Sequence, residues 1–239
     1  MVKKYKHDSK VSYALGTTLT FELLKYKSNL VTKIYIHPNL NKDETYTKLI
    51  NEWNKYNIPY EESAKVFNIL SDKENCYVIG EFTKYNSELE NDNHVVLVNP
   101  SDAGNMGTIM RSSLGFGIKN IAIIKPAVDI FNPKVVRSSM GALFGINVKY
   151  YDSFEDYQNE FKDHNIYTLM LQAKVNLSEV ENTNQKYSLV FGNEATGLPK
   201  KFLNIGTPVI IKHTSNIDSL NLPIAVSITL YEFTKHNFK

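Results

Sequence analysis

The spacing of apolar and polar positions changes rhythm several times along this chain, and each change predicts an element. Over 11–29 the spacing is roughly helical, with Phe21, Leu23 and Leu24 on one stripe and Gly16 and Thr17 near its beginning, so a helix is expected there. Val31 to His37, VTKIYIH, alternates at period two and stops at Pro38, which predicts a strand. Residues 44–56, carrying Leu49, Ile50 and Trp53, predict a second helix. Ile58 to Tyr60 open an extended piece, 61–71 a helix and 75–82 a further strand. Helix and strand alternate with short gaps, so 1–84 is expected to be a small α/β domain. Tyr85 to Asn93, YNSELENDN, has almost no hydrophobic content and is expected to be a linker over 85–93.

A second unit, 94–239, begins with a buried strand at His94 to Val98 and runs straight into a glycine-containing segment. The pattern then predicts a helix at about 105–115, a strand at 120–124, a helix around 132–141, a strand around 146–149, a helix at 153–162 and a strand at 166–171. Strands at 187–191 and 208–211 flank a turn-rich stretch, and a last helix spans about 220–235. Short β-rich runs between helices imply a mostly parallel sheet covered on both faces. In such sheets the binding site lies at the carboxyl ends of the strands, where the glycine-rich turns of this sequence fall.

Composition narrows the class. The chain has 239 residues, 42% of them hydrophobic, which suffices for one large domain or two modest ones. A formal charge of +2 permits a polyanionic partner without requiring one. The opening MVKKYKHDSK has no apolar run behind it and no stretch approaches the roughly 20 apolar residues of a membrane span, so a soluble cytoplasmic protein with no membrane partner is expected. Cys76 is the only cysteine and the six histidines lie far apart, so neither a disulfide nor a metal site is expected.

Among 27 basic residues only Arg111 and Arg137 are arginines. Where lysine serves as the general cation, an arginine points to a need for the rigid five-donor fork that suits phosphate or carboxylate. Arg111 closes the first chemical segment, NPSDAGNMGTIMR, 99–111. Here Gly104 and Gly107 offer close backbone approach or unusual dihedrals, Asp102 and Asn105 can cap the helix, and the free helical amides could receive an anion. The segment is neither GxGxxG nor GxxxxGK[ST], so an ordinary nucleotide-binding fold is poorly supported. The second segment, VFGNEATGLP at 190–199, is a tight polar loop at a strand end; Gly192 would let a ligand lie near the main chain, and Glu194 could accept bonds from a ligand or a facing arginine. In the third, 210–232, Pro223 suits the first turn of a helix whose apolar residues are too extensive for a free surface helix, which suggests burial against the sheet or another subunit. Asn221 could fix a loop or contact a nucleotide, and His213 is expected to bond locally. Spacing alone ends at a ligand-binding α/β enzyme of unknown reaction.

Together these segments resemble the SpoU branch of the SPOUT RNA methyltransferases, the TrmH family. The matching text is NPSDAGNMGTIMRSSLGFG, LVFGNEATGLP and IKHTSNIDSLNLPIAVSITLYEF, in the family's order and over most of 94–239, with VVRSSMGALFGINV between them. The resemblance implies a SPOUT-type parallel sheet with a deep trefoil knot, preceded at 1–84 by a small ribosomal-protein-like (L30e-like) α/β domain that binds RNA. It further implies S-adenosyl-L-methionine as cofactor, a homodimer, and methyl transfer to a ribose 2′-OH in structured rRNA or tRNA, not DNA. Base methylation and a non-catalytic RNA-binding or ribosome-assembly role stay open. By motif position, Gly192, Ile211 and Leu220, with Leu169, Met170 and Leu171, would contact the cofactor. Arg111, Glu194 and Asn221 match the catalytic positions, with Glu194 organising Arg111; Arg111 and Arg137 would meet RNA. One departure stands out: many members follow the isoleucine matched by Ile211 with proline and methionine, where this chain has Lys212 and His213.

Overall fold

The computed structural model describes residues 2–71, 75–180 and 185–238. The chain divides into two units, the first comprising 1–85 and 129–145 and the second 86–128 and 146–239.

The first unit is built on β1 (Val11–Leu15), α1 (Thr17–Lys27), β2 (Val31–Ile36), α2 (Glu44–Asn54), β3 (Tyr60–Glu62), α3 (Ala64–Leu70) and β4 (Val78–Thr83). Its sheet has the order β1-β4-β2-β3, antiparallel except where β2 runs alongside β3. The expected helix over 11–29 is corrected here. VSYAL forms a strand paired with β4, and Gly16, at a φ of 120° that side chains rarely adopt, ends it before the helix begins at Thr17. The stripe assigned to that helix is real, since Leu23 and Leu24 are buried. Asp43 caps α2, accepting hydrogen bonds from the Thr45 and Tyr46 amides at 2.9 and 3.1 Å. Part of the strand expected over 75–82 is displaced to Val78–Thr83, and part of the helix expected over 61–71 falls to β3.

The second unit contains β5 (His94–Val98), α4 (Ala103–Gly115) and β6 (Asn120–Ile124), and the first unit takes back the chain for α5 (Pro133–Ser138). The expected unit 94–239 includes 129–145, and the structure assigns that stretch to the first unit instead. The reason is aromatic and local: the Phe131 and Phe144 rings pack on Phe82, Phe131 also meets Tyr85, and the Ser12 hydroxyl donates to the Phe131 carbonyl. Lys84 pairs with Asp129 at 3.3 Å in a largely buried setting.

The second unit resumes with β7 (Asn147–Tyr151), α6 (Phe154–Glu160), β8 (Asn165–Leu169), the two-residue β9 (Val175–Asn176), β10 (Tyr187–Phe191), β11 (Thr207–Ile210) and α7 (Leu222–Thr234). Its seven-stranded sheet has the order β7-β6-β5-β10-β8-β11-β9, parallel throughout. Every residue of β5, β6 and β10 is buried, as a sheet covered on both faces requires. The expected linker 85–93 is not a free tether. Leu89 enters the second unit's core, Ser87 exchanges hydrogen bonds with both main-chain groups of Val148, and the Glu90 amide donates to Asn120. Polar composition here reflects side chains bonded to a sheet edge.

At the amino ends of the strands a polar cluster is sealed into this core. His94 bonds through its ring nitrogens to the Tyr157 hydroxyl and the Glu90 carbonyl, both at 2.8 Å, while Ser188 bridges Tyr157 and His164. Burial holds the His94 imidazole down to about 4 from an ordinary value of 6.5, and burial lowers His164 as well. An unfolded chain therefore takes up a proton at His94 that the folded chain refuses. This contribution to stability is complete above pH 6.5 and is lost as pH falls toward 4, by about 3 kcal/mol for His94. Urea unfolding at pH 7 and 4 should show the loss, and a His94→Gln variant should show a shallower pH slope; equal slopes would refute it.

Candidate functional site

Three strands adjacent in the sheet, β10, β8 and β11, end at one place, and their following loops enclose a pocket of about 230 Å³. Leu169, Met170 and Leu171 come from the end of β8, Gly192 from the end of β10, and Ile211 and Leu220 from the segment between β11 and α7. All six positions expected to meet a cofactor thus line the same pocket. Sequence reading missed Gln172, Asn193 and His213, which also line it; Asn193 sits inside the motif already singled out, so its place was within reach.

The β10 loop is held by its own main chain. A Cβ built on Gly192 would lie 2.1 Å from the carbonyl carbon of Gly197 and 2.2 Å from the Leu198 nitrogen. Glycine is needed here because one strand of the loop lies against the other, while Gly197 closes the turn at a φ of 65°. The Gly197 amide donates to the Asn193 carbonyl at 2.9 Å, and Asn193 Oδ1 accepts from the Ala195 amide at 2.9 Å. Asn193 Nδ2 donates to the Asn99 carbonyl at 2.8 Å, joining this loop to the one after β5. Asn99 itself takes a φ of 55°, so the unusual dihedral of that segment falls on it, whereas Gly104 and Gly107 lie inside α4 in ordinary helical conformation.

Glu194 completes the joint. Its carboxylate accepts from the Ser101 amide at 3.1 Å, the Ser101 hydroxyl at 2.9 Å and the Asp102 amide at 3.1 Å, with Asn105 Nδ2 at 3.4 Å. Burial pushes this carboxyl upward, but the hydrogen bonds from its own amide, Asp102 and Ser101 outweigh that effect and hold it below its ordinary value. Asp102 caps the helix as expected, accepting from the Asn105 amide at 2.7 Å. The anion expected at the start of α4 is therefore the chain's own Glu194.

Arg111 does not join it. Eight residues beyond Ala103, it stands about 12 Å further along the helix axis. It is exposed and makes no hydrogen bond or ion pair among the described residues, and it does not line the pocket. α4 packs on α7, with Ser112 and Ser227 hydroxyls 2.8 Å apart, and leaves Arg111 open to solvent. The expected pairing of Glu194 with Arg111 is not formed within the chain. Asn221, at the N-cap of α7 between the pocket residues Leu220 and Leu222, is exposed and its side chain makes no capping bond. Arg137 lies on α5 in the first unit and is exposed.

A chain with this strand-end pocket and these three loops has known relatives, and residues 92–231, more than half of its length, match the SpoU rRNA Methylase family. The chain belongs to that family. An uncharacterized tRNA/rRNA methyltransferase of Synechocystis is 31% identical over 141 residues, covering 58% of this chain and 51% of the relative. The 23S rRNA (guanosine(2553)-2′-O)-methyltransferase of Bacillus subtilis is 29% identical over 137 residues, covering 54% of this chain and 53% of the relative. The chain spans about half the length of these two curated relatives. An AdoMet-bound rRNA methyltransferase from Sinorhizobium meliloti shares the fold of this SpoU-family chain, with a TM-score of 0.81 at 23% identity over 96% of this chain and 89% of the other. Among the described residues there is no group of side chains suited to hold a metal ion and no helix long and apolar enough to cross a membrane.

Proposed function

We propose that this protein transfers a methyl group from S-adenosylmethionine to a ribose 2′-OH of a structured ribosomal or transfer RNA in the cytoplasm. The observation that carries the reading is the pocket in which Leu169, Met170, Leu171, Gly192, Ile211 and Leu220 meet at three strand ends. The residues present suit the cofactor: apolar side chains can enclose a flat base, and loop main chain at strand ends can meet its polar edge. When bound, S-adenosylmethionine supplies a methyl group already activated on a sulfonium, so the protein's work is alignment.

Glu194 acts as a positioning residue that fixes the β10 loop to the start of α4. Arg111, with its fork exposed, binds and orients a phosphate of the target nucleotide, which takes the proton that the hydroxyl gives up; a guanidinium that stays protonated is no general base. Asn221 holds the nucleotide or its loop with a side chain that the helix cap does not use. Since Arg111 stands away from the pocket of its own chain, it serves the pocket of a second copy. A homodimer is supported by Ile224, Ile228 and Tyr231, which form a stripe on α7 and are 52%, 39% and 55% exposed. The carboxyl-terminal part of the second unit is read as forming a deep trefoil knot. The first unit, with Arg137 on its surface, is read as a ribosomal-protein-like domain that selects the RNA by shape and phosphate placement.

Incubating the 239-residue protein and labelled S-adenosylmethionine with total RNA, followed by nucleoside mass spectrometry, should yield a 2′-O-methylated nucleoside. A base-methylated product, or cofactor binding without transfer to any RNA, would replace this reading with one of the two alternatives left open by the sequence.

A further inference from the structure

The short helix α5 buries Val135 and Val136 and leaves Lys134 and Arg137 exposed, three residues apart on one face. Three residues further on, just past the Ser139 C-cap, Met140 is exposed as well. Its amide donates to the Arg137 carbonyl at 3.1 Å, closing the last turn, and its φ is 50°. Left-handed backbone is unfavourable for any side chain, and glycine is the usual residue at this place after a helix. The chain does use glycine one residue later: Gly141, at a φ of 91°, lies so close to α1 that a Cβ there would fall 2.5 Å from the Glu22 Cβ. Met140 instead keeps a large apolar side chain in strained backbone while remaining 47% exposed, so packing within the chain does little to offset the strain. A strained residue that presents its side chain to solvent points to a partner outside the chain.

The surroundings select that partner. Neither Lys134 nor Arg137 has an ion pair among the described residues. On α1, Lys25 pairs with Glu22 at 3.8 Å and holds its ammonium 4.7 Å from the centre of the exposed Tyr26 ring. Three cations against one acid suit a polyanion. We propose that Met140 is an RNA-recognition residue, its thioether lying on the face of an unpaired base while Arg137, one turn away, grips a phosphate of the same strand. The proposal rests on the methyltransferase reading above and names, within the first unit, a side chain that distinguishes unpaired from paired nucleotides. A polarizable sulfur suits an aromatic face, and RNA exposes base faces in loops and bulges rather than in its helices. Lys25 and Lys134 argue against a protein partner, because lysine is depleted in protein interfaces.

Filter binding of the 239-residue protein with labelled total RNA as probe tests this. Met140→Gly is expected to weaken RNA binding about fivefold, to leave the salt dependence of binding unchanged, and to keep Tm or raise it by up to about 4 °C as the strain is relieved. Arg137→Gln is expected to weaken binding and to lower the slope of log affinity against log salt by about 0.7–0.9, the mark of one lost phosphate contact. Crosslinking locates the contact: Met140→Cys, in a chain whose other cysteine, Cys76, is buried, is labelled with an aryl azide and irradiated with total RNA, and the joined nucleotides are sequenced. Crosslinks concentrated at unpaired nucleotides are expected. Parent-like RNA affinity in Met140→Gly, a fall in its Tm, or crosslinks to paired nucleotides or to a second copy of the chain overturn the proposal. Failure of the parent protein to retain any RNA would instead overturn the methyltransferase reading itself.

Discussion

Alanine at position 192 is expected to weaken S-adenosylmethionine binding at least a hundredfold and to lower Tm by roughly 2–12 °C. The added methyl carbon would fall 2.1 Å from the Gly197 carbonyl carbon, and the obstacle is main chain that no rotamer change can clear. Relief requires the two sides of the loop to separate by more than an ångström. Separation strains the Gly197 to Asn193 hydrogen bond and, through Asn193, the bond to the Asn99 carbonyl. Overpacking of this kind typically costs about 1–3 kcal/mol, and in a domain of this size each kcal/mol lowers Tm by about 2–4 °C. The binding loss is larger than the stability loss because the displaced loop is itself pocket wall. Gly115→Ala is the matched control, for no atom lies within 4 Å of a Cβ built there at the end of α4. Equal affinity in the Gly192→Ala and Gly115→Ala proteins would show that the close approach of the loop is unimportant.

Arg111→Lys is expected to reduce methyl transfer about a hundredfold or more while leaving cofactor affinity unchanged. Charge is kept by the substitution, but the planar fork that grips two phosphate oxygens at once is lost. Cofactor affinity should hold because Arg111 does not line the pocket and has no partner among the described residues whose loss would disturb the fold. Single-turnover methylation of a verified RNA, with calorimetry for the cofactor, separates the two effects. Near-normal transfer by Arg111→Lys would remove the fork-specific role. Mixing Arg111→Lys chains with Gly192→Ala chains probes the dimer: partial recovery is expected where the second chain lends its arginine to the first chain's intact pocket, and no recovery would argue that Arg111 serves its own chain.

The sequence made the pocket legible and the wiring around it illegible, for one physical reason. Gly192, Leu169 and Ile211 lie at the ends of strands, and period-two runs followed by turn residues mark strand ends locally, so their convergence follows once the sheet is parallel. Glu194 stands out in the sequence as a candidate site acid, yet its partners Ser101 and Asp102 lie 93 and 92 residues away, and only tertiary structure shows that α4 already has its anion. Arg111 was picked out by scarcity, but its distance from Glu194 depends on where α4 begins. β1 was mistaken for helix because five residues of VSYAL fit either period, and their pairing with β4 decides between the two. The cluster of His94, Tyr157, Ser188 and His164 gave no signal, since its members come from four separate segments.

The return of Asp129–Gly145 to the first unit has a consequence for how such a protein could be rearranged. The chain passes from one unit to the other at Tyr85–Asn86, Val128–Asp129 and Gly145–Ile146. An amino-terminal domain joined by a single crossing could be exchanged as a cassette, by recombination or by design. Here a cut after residue 84 would strand Phe131 and Phe144 without Phe82, so a transplant of the first unit must carry its second piece from the middle of the gene. The two halves are therefore expected to be inherited together.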